Sequence, residues 1–236
     1  MKILGIDSSG LVASVAVIED DNLLGEFTMN YKKTHSQTLL PMLDELAKMI
    51  ELDLNTIDAI AVSGGPGSFT GLRIGSATAK GLGLALNKPL IHIPTVDALA
   101  YNLCGHQDMV CPLMDARRNQ TYTGLYEFDG NTMHILVKQC AVGIDEIIQK
   151  INEKNRSVVF LGDGVSVFAD YIKKNCRVAY DFAQAHNNKQ RAASVAALGT
   201  VYYEEGKLEA AGQHNPDYLR MSQAERERME REKGSC

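Results

Sequence analysis

The stretch Gly64–Gly75, GGPGSFTGLRIG, holds five glycines and a proline in twelve residues. A glycine-rich turn ahead of a helix presents free backbone N–H groups and can cradle phosphate. A P-loop also needs Lys-Ser or Lys-Thr after its last glycine, for the β/γ-phosphates and a magnesium ion. Neither follows here, GxGxxG is absent, and the nearest basic residue, Arg73, is one turn into the helix. Two readings stay open: a generic anion site at a helix start, or glycines that permit a tight turn and close packing. Asp7-Ser8-Ser9 could hold magnesium and phosphate, or could form an ordinary hairpin turn. Asp115-Ala116-Arg117-Arg118 repeats the ambiguity. Asp7, Ser8, Ser9, Gly65, Gly67, Ser68 and Asp115 are therefore the candidate nucleotide-binding residues.

Other chemistries have less to stand on. Of the histidines His35, His92, His106, His134, His186 and His214, no pair stands three or four apart, so no HxxH, HxxxH or HExxH helix site is present and no metal site is expected in this chain. There is no GxSxG elbow, and Gly67-Ser68 has no partner histidine assignable from sequence. Cys104, Cys111, Cys140, Cys176 and Cys236 form no CxxC pair and are odd in number, which points to reduced thiols and a cytoplasmic location. Met1-Lys2 runs straight into ILGID, too short for a signal peptide, and no stretch is apolar enough to span a membrane. A net charge of −5 argues against strong unaided binding to DNA or RNA.

The elements that must position these residues alternate. KILGID, VASVAVIED and LLGEFTMN read as strands joined by tight turns. THSQTLLPMLDELAKMIE is a helix with Ser36 as N-cap and Pro41 near its first turn. DAIAVSGG is a buried strand, the glycine loop leads into a helix ending near Leu86, KPLIHIP is a strand, and Thr95 caps a further helix. From Met109 the order repeats: three strands, a helix over Ile144–Asn152, a strand SVVFLGDG, a helix over Val165–Lys174, and a last helix over Arg191–Gly206. The expected fold is α/β: duplicated βββαβα units with mixed central sheets, forming two actin/Hsp70-like, ribonuclease H-like lobes across a cleft. The lobes are expected at 1–104 and 105–220, with a charged tail over 221–236 whose i,i+4 pairs permit a helix end.

Two helices are greasier than one core contact requires. Leu39, Leu40, Met42, Leu43, Leu46, Ala47, Met49 and Ile50 cover roughly 180° of the first, where a core-facing stripe needs little over ~100°. In the second, Gly71, Gly75, Ala79 and Gly83 recur every four residues, and each interior glycine costs up to ~1 kcal/mol relative to alanine. A deeply buried pair of helices and a shared exposed patch for a partner are both consistent with this, and the patch is the favoured reading.

ILGIDSSG, HSQTLLPML, GGPGSFTGLRIG, IPTVDALA, MDARRNQTY and PDYLR occur in this order, and together they closely resemble the TsaB (YeaZ) family of bacterial tRNA threonylcarbamoyladenosine synthesis. The resemblance covers most of Lys2–Arg220. It implies the actin/Hsp70-type double lobe and a non-catalytic subunit that pairs with a TsaD-type transferase, with a TsaE-type ATPase joining them. TsaD-like proteins carry an HxxxH metal pair that this sequence lacks. The resemblance also implies a homodimer when alone, tRNA reached only through the complex, no cofactor of the chain's own beyond weak ATP or ADP binding in the cleft, and no membrane. The implied interface lies on the two greasy helices. Its expected residues are Leu39, Met42, Leu43, Leu46 and Met49 on the first, and Gly71, Ile74, Gly75, Thr78, Ala79 and Leu82 on the second. An actin-like ATP-binding enzyme is the alternative function, and a peptidase is the least supported.

Overall fold

Strands β1 (Lys2–Asp7), β2 (Ala13–Glu19) and β3 (Asn22–Met29) form an antiparallel meander in the computed structural model, which describes residues 1–31 and 35–219. Then follow α1 (His35–Met49), β4 (Ala59–Gly65), α2 (Phe69–Leu86), β5 (Leu90–Pro94) and α3 (Thr95–Tyr101). The first sheet runs β3-β2-β1-β4-β5, with β4 parallel to β1 and β5 parallel to β4. The second half supplies β6 (Met109–Asp115), β7 (Gln120–Asp129), β8 (Thr132–Gly143), α4 (Ile144–Lys154), β9 (Val158–Leu161), α5 (Gly164–Asn175), β10 (Tyr180–Phe182) and α6 (Ala192–Glu204). Its sheet runs β10-β9-β6-β7-β8, the same order read from the other edge. The duplication expected from element order is thus present in the topology, and both sheets are mixed. Each half carries a fifth strand and a further helix beyond βββαβα; β5, α3 and α6 were expected as elements, and β10 was not.

The final helices do not respect a division at residue 104. Helix α6 packs on β1, β2, β4 and β5 of the first sheet, although it follows the second lobe in sequence. Gly5 of β1 makes this approach close: a Cβ there would overlap the Ala192 carbonyl. Gly199 of α6 does the same from the other side, since its Cβ would stand 2.7 Å from that of Ala61. Helix α3 faces β6 and β7 of the second lobe. Both faces of the first sheet are therefore covered, by α1 and α2 on one side and α6 on the other. This is why β1 and β4 are buried along almost their whole length.

The lobes share a core. Val96, Leu99 and Ala100 of α3 pack with Val110, Met114, Tyr126 and Leu161 of the second lobe, all at most 4% exposed. Within it the Tyr126 hydroxyl donates to Asp97 Oδ1 at 2.6 Å. Burial pushes the Asp97 carboxyl up and the Tyr126 bond pulls it back in part. Tyr126→Phe removes that donor from a buried carboxyl and is expected to cost about 1–3 kcal/mol in urea unfolding. The sign of its pH dependence follows. Without the bond the folded-state value of Asp97 rises further above 3.8, so stability present in acid is lost as pH rises, and the cost is larger at neutral pH than in mild acid. Equal stability of variant and parent at neutral pH would contradict a latch between the lobes.

Three local expectations need correction. Ser36 lies inside α1, which begins at His35, so it is not the cap. Pro41 is seven residues in and stands on the exposed face rather than in the first turn. Thr95 is the first residue of α3, and its hydroxyl accepts from the Gly65 N–H at 3.1 Å, supporting the glycine loop instead of capping the helix. The charged tail 221–236, and Arg220 of PDYLR, lie outside the described residues.

Candidate functional site

The first hairpin turn and the glycine loop are locked to each other. Asp7, at the end of β1, is 1% exposed, and both its oxygens are used within the chain. Oδ1 accepts from the Ser9 N–H at 2.8 Å and the Ser9 hydroxyl at 2.7 Å, and Oδ2 accepts from the Ser63 hydroxyl at 2.5 Å. The Ser8 hydroxyl donates to the Gly71 carbonyl at 2.9 Å, and Ser68 N–H donates to the Ser9 carbonyl at 2.7 Å. Ser68 caps α2, its hydroxyl oxygen accepting from Gly71 N–H at 3.3 Å. A Cβ on Gly67 would overlap the Ser9 carbonyl, and one on Gly65 would overlap that of Asp217. Of the two readings of the loop, close packing accounts for the bonds seen.

Beside the loop a cleft of about 420 Å³ opens between the lobes. Of the candidate nucleotide residues, the structure brings Ser9, Gly67, Ser68 and Asp115 to this cleft, whereas Asp7, Ser8 and Gly65 stand behind its wall. The second lobe contributes Asp115, Arg117, Tyr122 and Asp163, and the C-terminal segment adds Asp217 and Tyr218. His35 and Asp163 were not anticipated. Gly162-Asp163-Gly164 follows β9 as the glycine loop follows β4, so the repeat itself was the available signal. Asp163 Oδ1 and His35 Nδ1 are buried with no hydrogen-bond partner among the described residues. Burial pushes the Asp163 carboxyl up, with Lys189 acting in the opposite sense.

Burial also pushes Asp7 above its ordinary 3.8, while the Ser63 and Ser9 bonds lower it. A raised carboxyl binds its proton more tightly in the folded chain. Its contribution to stability is therefore fully present below 3.8 and is lost as pH rises through the folded value. Asp7→Asn keeps the shape and the Ser9 bonds while removing the charge. It is expected to flatten part of that pH slope and to stay within about 1 kcal/mol of the parent at neutral pH. A loss of several kcal/mol in denaturant titration would show that the charge itself is needed.

The greasy helices present a different surface from the one expected. Leu39, Met42, Leu43 and Leu46 are at most 8% exposed and pack on the first sheet. Gly71, Gly75 and Ala79 are buried as well. A Cβ on Gly71 would overlap the Ser8 carbonyl, one on Gly75 would stand 2.5 Å from Ser8 Oγ, and one on Gly83 2.8 Å from Ala211 Cβ. This ridge is a seat for the chain's own turn and C-terminal segment, so these seven residues are not available to a partner. Ile74, Thr78 and Leu82 are half-buried, and only Met49, at 66%, is freely exposed. The outward face of α2 carries instead Ala77, Gly81, Leu84 and Ala85, with Leu84 at 66%, and α1 beside it exposes Leu40 at 52%. Ala77, Gly81 and Ala85 repeat the four-residue spacing on the opposite side of the helix. Nothing lies within 4 Å of a Cβ placed on Gly81.

No metal site was expected, on the ground that no two histidines share helical spacing. In the fold His92, Glu209 and His214 converge, from a strand and the C-terminal segment.

Two five-stranded mixed sheets of identical order, facing each other across a cleft, define the two-lobed actin-like α/β class. The TsaD family model, described as tRNA N6-adenosine threonylcarbamoyltransferase, matches residues 22–228. A Bacillus subtilis protein named tRNA threonylcarbamoyladenosine biosynthesis protein TsaB is 32% identical over 99% of this chain and 100% of its own length. The Escherichia coli protein of the same name is 29% identical over 93% and 95%. A Pseudomonas aeruginosa crystal structure, described as an uncharacterised protein with similarity to peptidase YeaZ, superposes with a TM-score of 0.81 at 25% identity, covering 93% of this chain and 99% of that one. The chain belongs to the TsaB (YeaZ) branch of the TsaD family.

Proposed function

We propose that the chain acts in tRNA threonylcarbamoyladenosine biosynthesis as a non-catalytic docking subunit for a TsaD-type transferase. A TsaE-type ATPase joins the pair, tRNA is met through the complex, and a second copy takes the same face when the chain is alone. The observation that carries this reading is the outward face of α2. A helix covering a sheet normally turns a polar face to water. Here the exposed positions between Arg73 and Asn87 are Ala77, Gly81, Leu84 and Ala85, without a polar side chain. The three inner glycines each admit a group of the same chain, but Gly81 admits none. An interior helical glycine costs up to ~1 kcal/mol relative to alanine, and close approach by another molecule gives that cost a use. The missing HxxxH pair supports an accessory rather than a transferring role, with no cofactor required by this chain.

The test is reconstitution. Purified TsaD-type transferase and TsaE-type ATPase, with ATP and the threonylcarbamoyl donor, are expected to modify tRNA only when this chain is added. Modification at full rate without it, or by this chain alone, would contradict the reading.

A second reading, nucleotide binding in the cleft, is favoured by Ser9, Gly67, Ser68 and Asp115 around a volume within the usual range for small-molecule sites. Calorimetry with ATP and magnesium tests it. Heat lost in Asp115→Ala favours this reading, and no heat from the parent removes it.

A further inference from the structure

After α6, which already packs on the first sheet, the chain continues over the first lobe as a strap over residues 209–217. Glu209 pairs with Leu90 on the edge of β5, exchanging backbone bonds of 2.9 and 3.0 Å. Lys80 of α2 donates to the His214 carbonyl at 3.0 Å, and Asp217 N–H donates to that of Gly64 at 2.6 Å. Beyond it Tyr218 stacks on Phe69, with ring centroids 4.6 Å apart, and lines the cleft. The strap thus closes a sheet edge and builds one wall of the cleft.

Its side chains carry a ligand set. One atom each from His92, Glu209 and His214 lies within 4.8 Å of the others. His214 is wholly buried, with Nδ1 against Glu209 Oε1 and Nε2 3.1 Å from the Ser76 hydroxyl. A hydroxyl both donates and accepts. Ser76 can therefore take the Nε2 proton and leave the Nδ1 lone pair facing Glu209, the arrangement by which outer partners orient metal-bound histidines. His92 Nε2 is buried without a hydrogen-bond partner, and Asp217 Oδ2 lies 3.3 Å from it. Among the described residues, two carboxylates stand here against the Lys80 ammonium, which is held by the His214 carbonyl.

We propose that His92, Glu209 and His214, with Asp217 as a fourth oxygen ligand, form a site for a divalent transition ion of the zinc class, which clamps the strap to the first lobe. Nitrogen and carboxylate ligands at about 2.0–2.2 Å in a tetrahedron suit this donor set. To bind the ion, His214 Nδ1 and Glu209 Oε1 move apart from their direct hydrogen bond while His92 and Asp217 draw in. The ion replaces the hydrogen bond between His214 and Glu209. The ring switches tautomer toward Ser76, so no proton need be released.

The test uses the full-length, tag-free chain after chelation. Titration with Co²⁺ is expected to give a tetrahedral ligand-field band saturating at about one ion per chain, and Zn²⁺ is expected to displace it and raise the melting temperature. Glu209→Gln and His92→Gln, both on half-buried side chains, are expected to weaken Co²⁺ uptake at least tenfold. Glu209→Gln alters one atom and decides the matter should His92→Gln not fold. No ligand-field band, a band with thiolate charge transfer, or uptake undiminished in Glu209→Gln would each overturn the proposal.

Discussion

Gly71→Val is expected to destabilise the chain by about 3 kcal/mol, the upper end of what forcing extra groups into a well-packed site typically costs. The group in the way is backbone. A Cβ on Gly71 would overlap the Ser8 carbonyl, and that turn has no freedom to retreat. The Ser8 hydroxyl is bonded to the Gly71 carbonyl, the Ser9 carbonyl to Ser68 N–H, and the Ser9 N–H to Asp7. Gly71→Ala is expected to be harmful too, although alanine is the better helix former by up to ~1 kcal/mol. Urea unfolding followed by circular dichroism checks both. A valine variant within about 1 kcal/mol of the parent would mean that the turn is not seated on this helix.

Gly81→Arg is expected to do the opposite: leave the monomer as stable as the parent or slightly more so, and weaken association roughly hundredfold. The position has open space around it, so an arginine meets nothing in its own chain and replaces a poor helix former with a good one. Between two close-packed helices the same side chain would hold the backbones apart. Leu84→Glu should act similarly by placing a charge on a side chain 66% exposed. Equilibrium sedimentation measures the self-association, and thermal melting measures the fold. Unchanged association with unchanged stability would remove α2 from the interface.

These two glycines show what the sequence discloses and what it withholds. Gly71, Gly75, Ala79 and Gly83 form one small-residue ridge; Ala77, Gly81 and Ala85 form another, with the same spacing on the same helix. Read from the sequence, the first alone is picked out and the second is passed over, although their spacing is the same. What separates them is a contact distant in sequence, the Ser8–Ser9 turn lying against the first ridge. The helices were therefore legible, and the side facing outward was not. The strands and their duplicated order were legible because short apolar runs end at turn residues such as Asp7-Ser8-Ser9 and Asp115-Ala116. Strand β10 was not, since three residues carry no period. Helix α6 was recognisable as a helix, but its apolar residues lie on nearly every side, and nothing local says that it belongs on the other lobe's sheet. His92 and His214 lie far apart along the chain, so only the returning strap brings their rings to 5.5 Å.

The most direct measurement is a titration of immobilised TsaD-type transferase with three forms of this chain: the parent, Gly81→Arg and Asp7→Asn. The account predicts that the parent and Asp7→Asn bind alike, while Gly81→Arg, shown folded by its melting curve, binds at least tenfold more weakly. Parent-like binding by folded Gly81→Arg, or no binding by the parent, would contradict it.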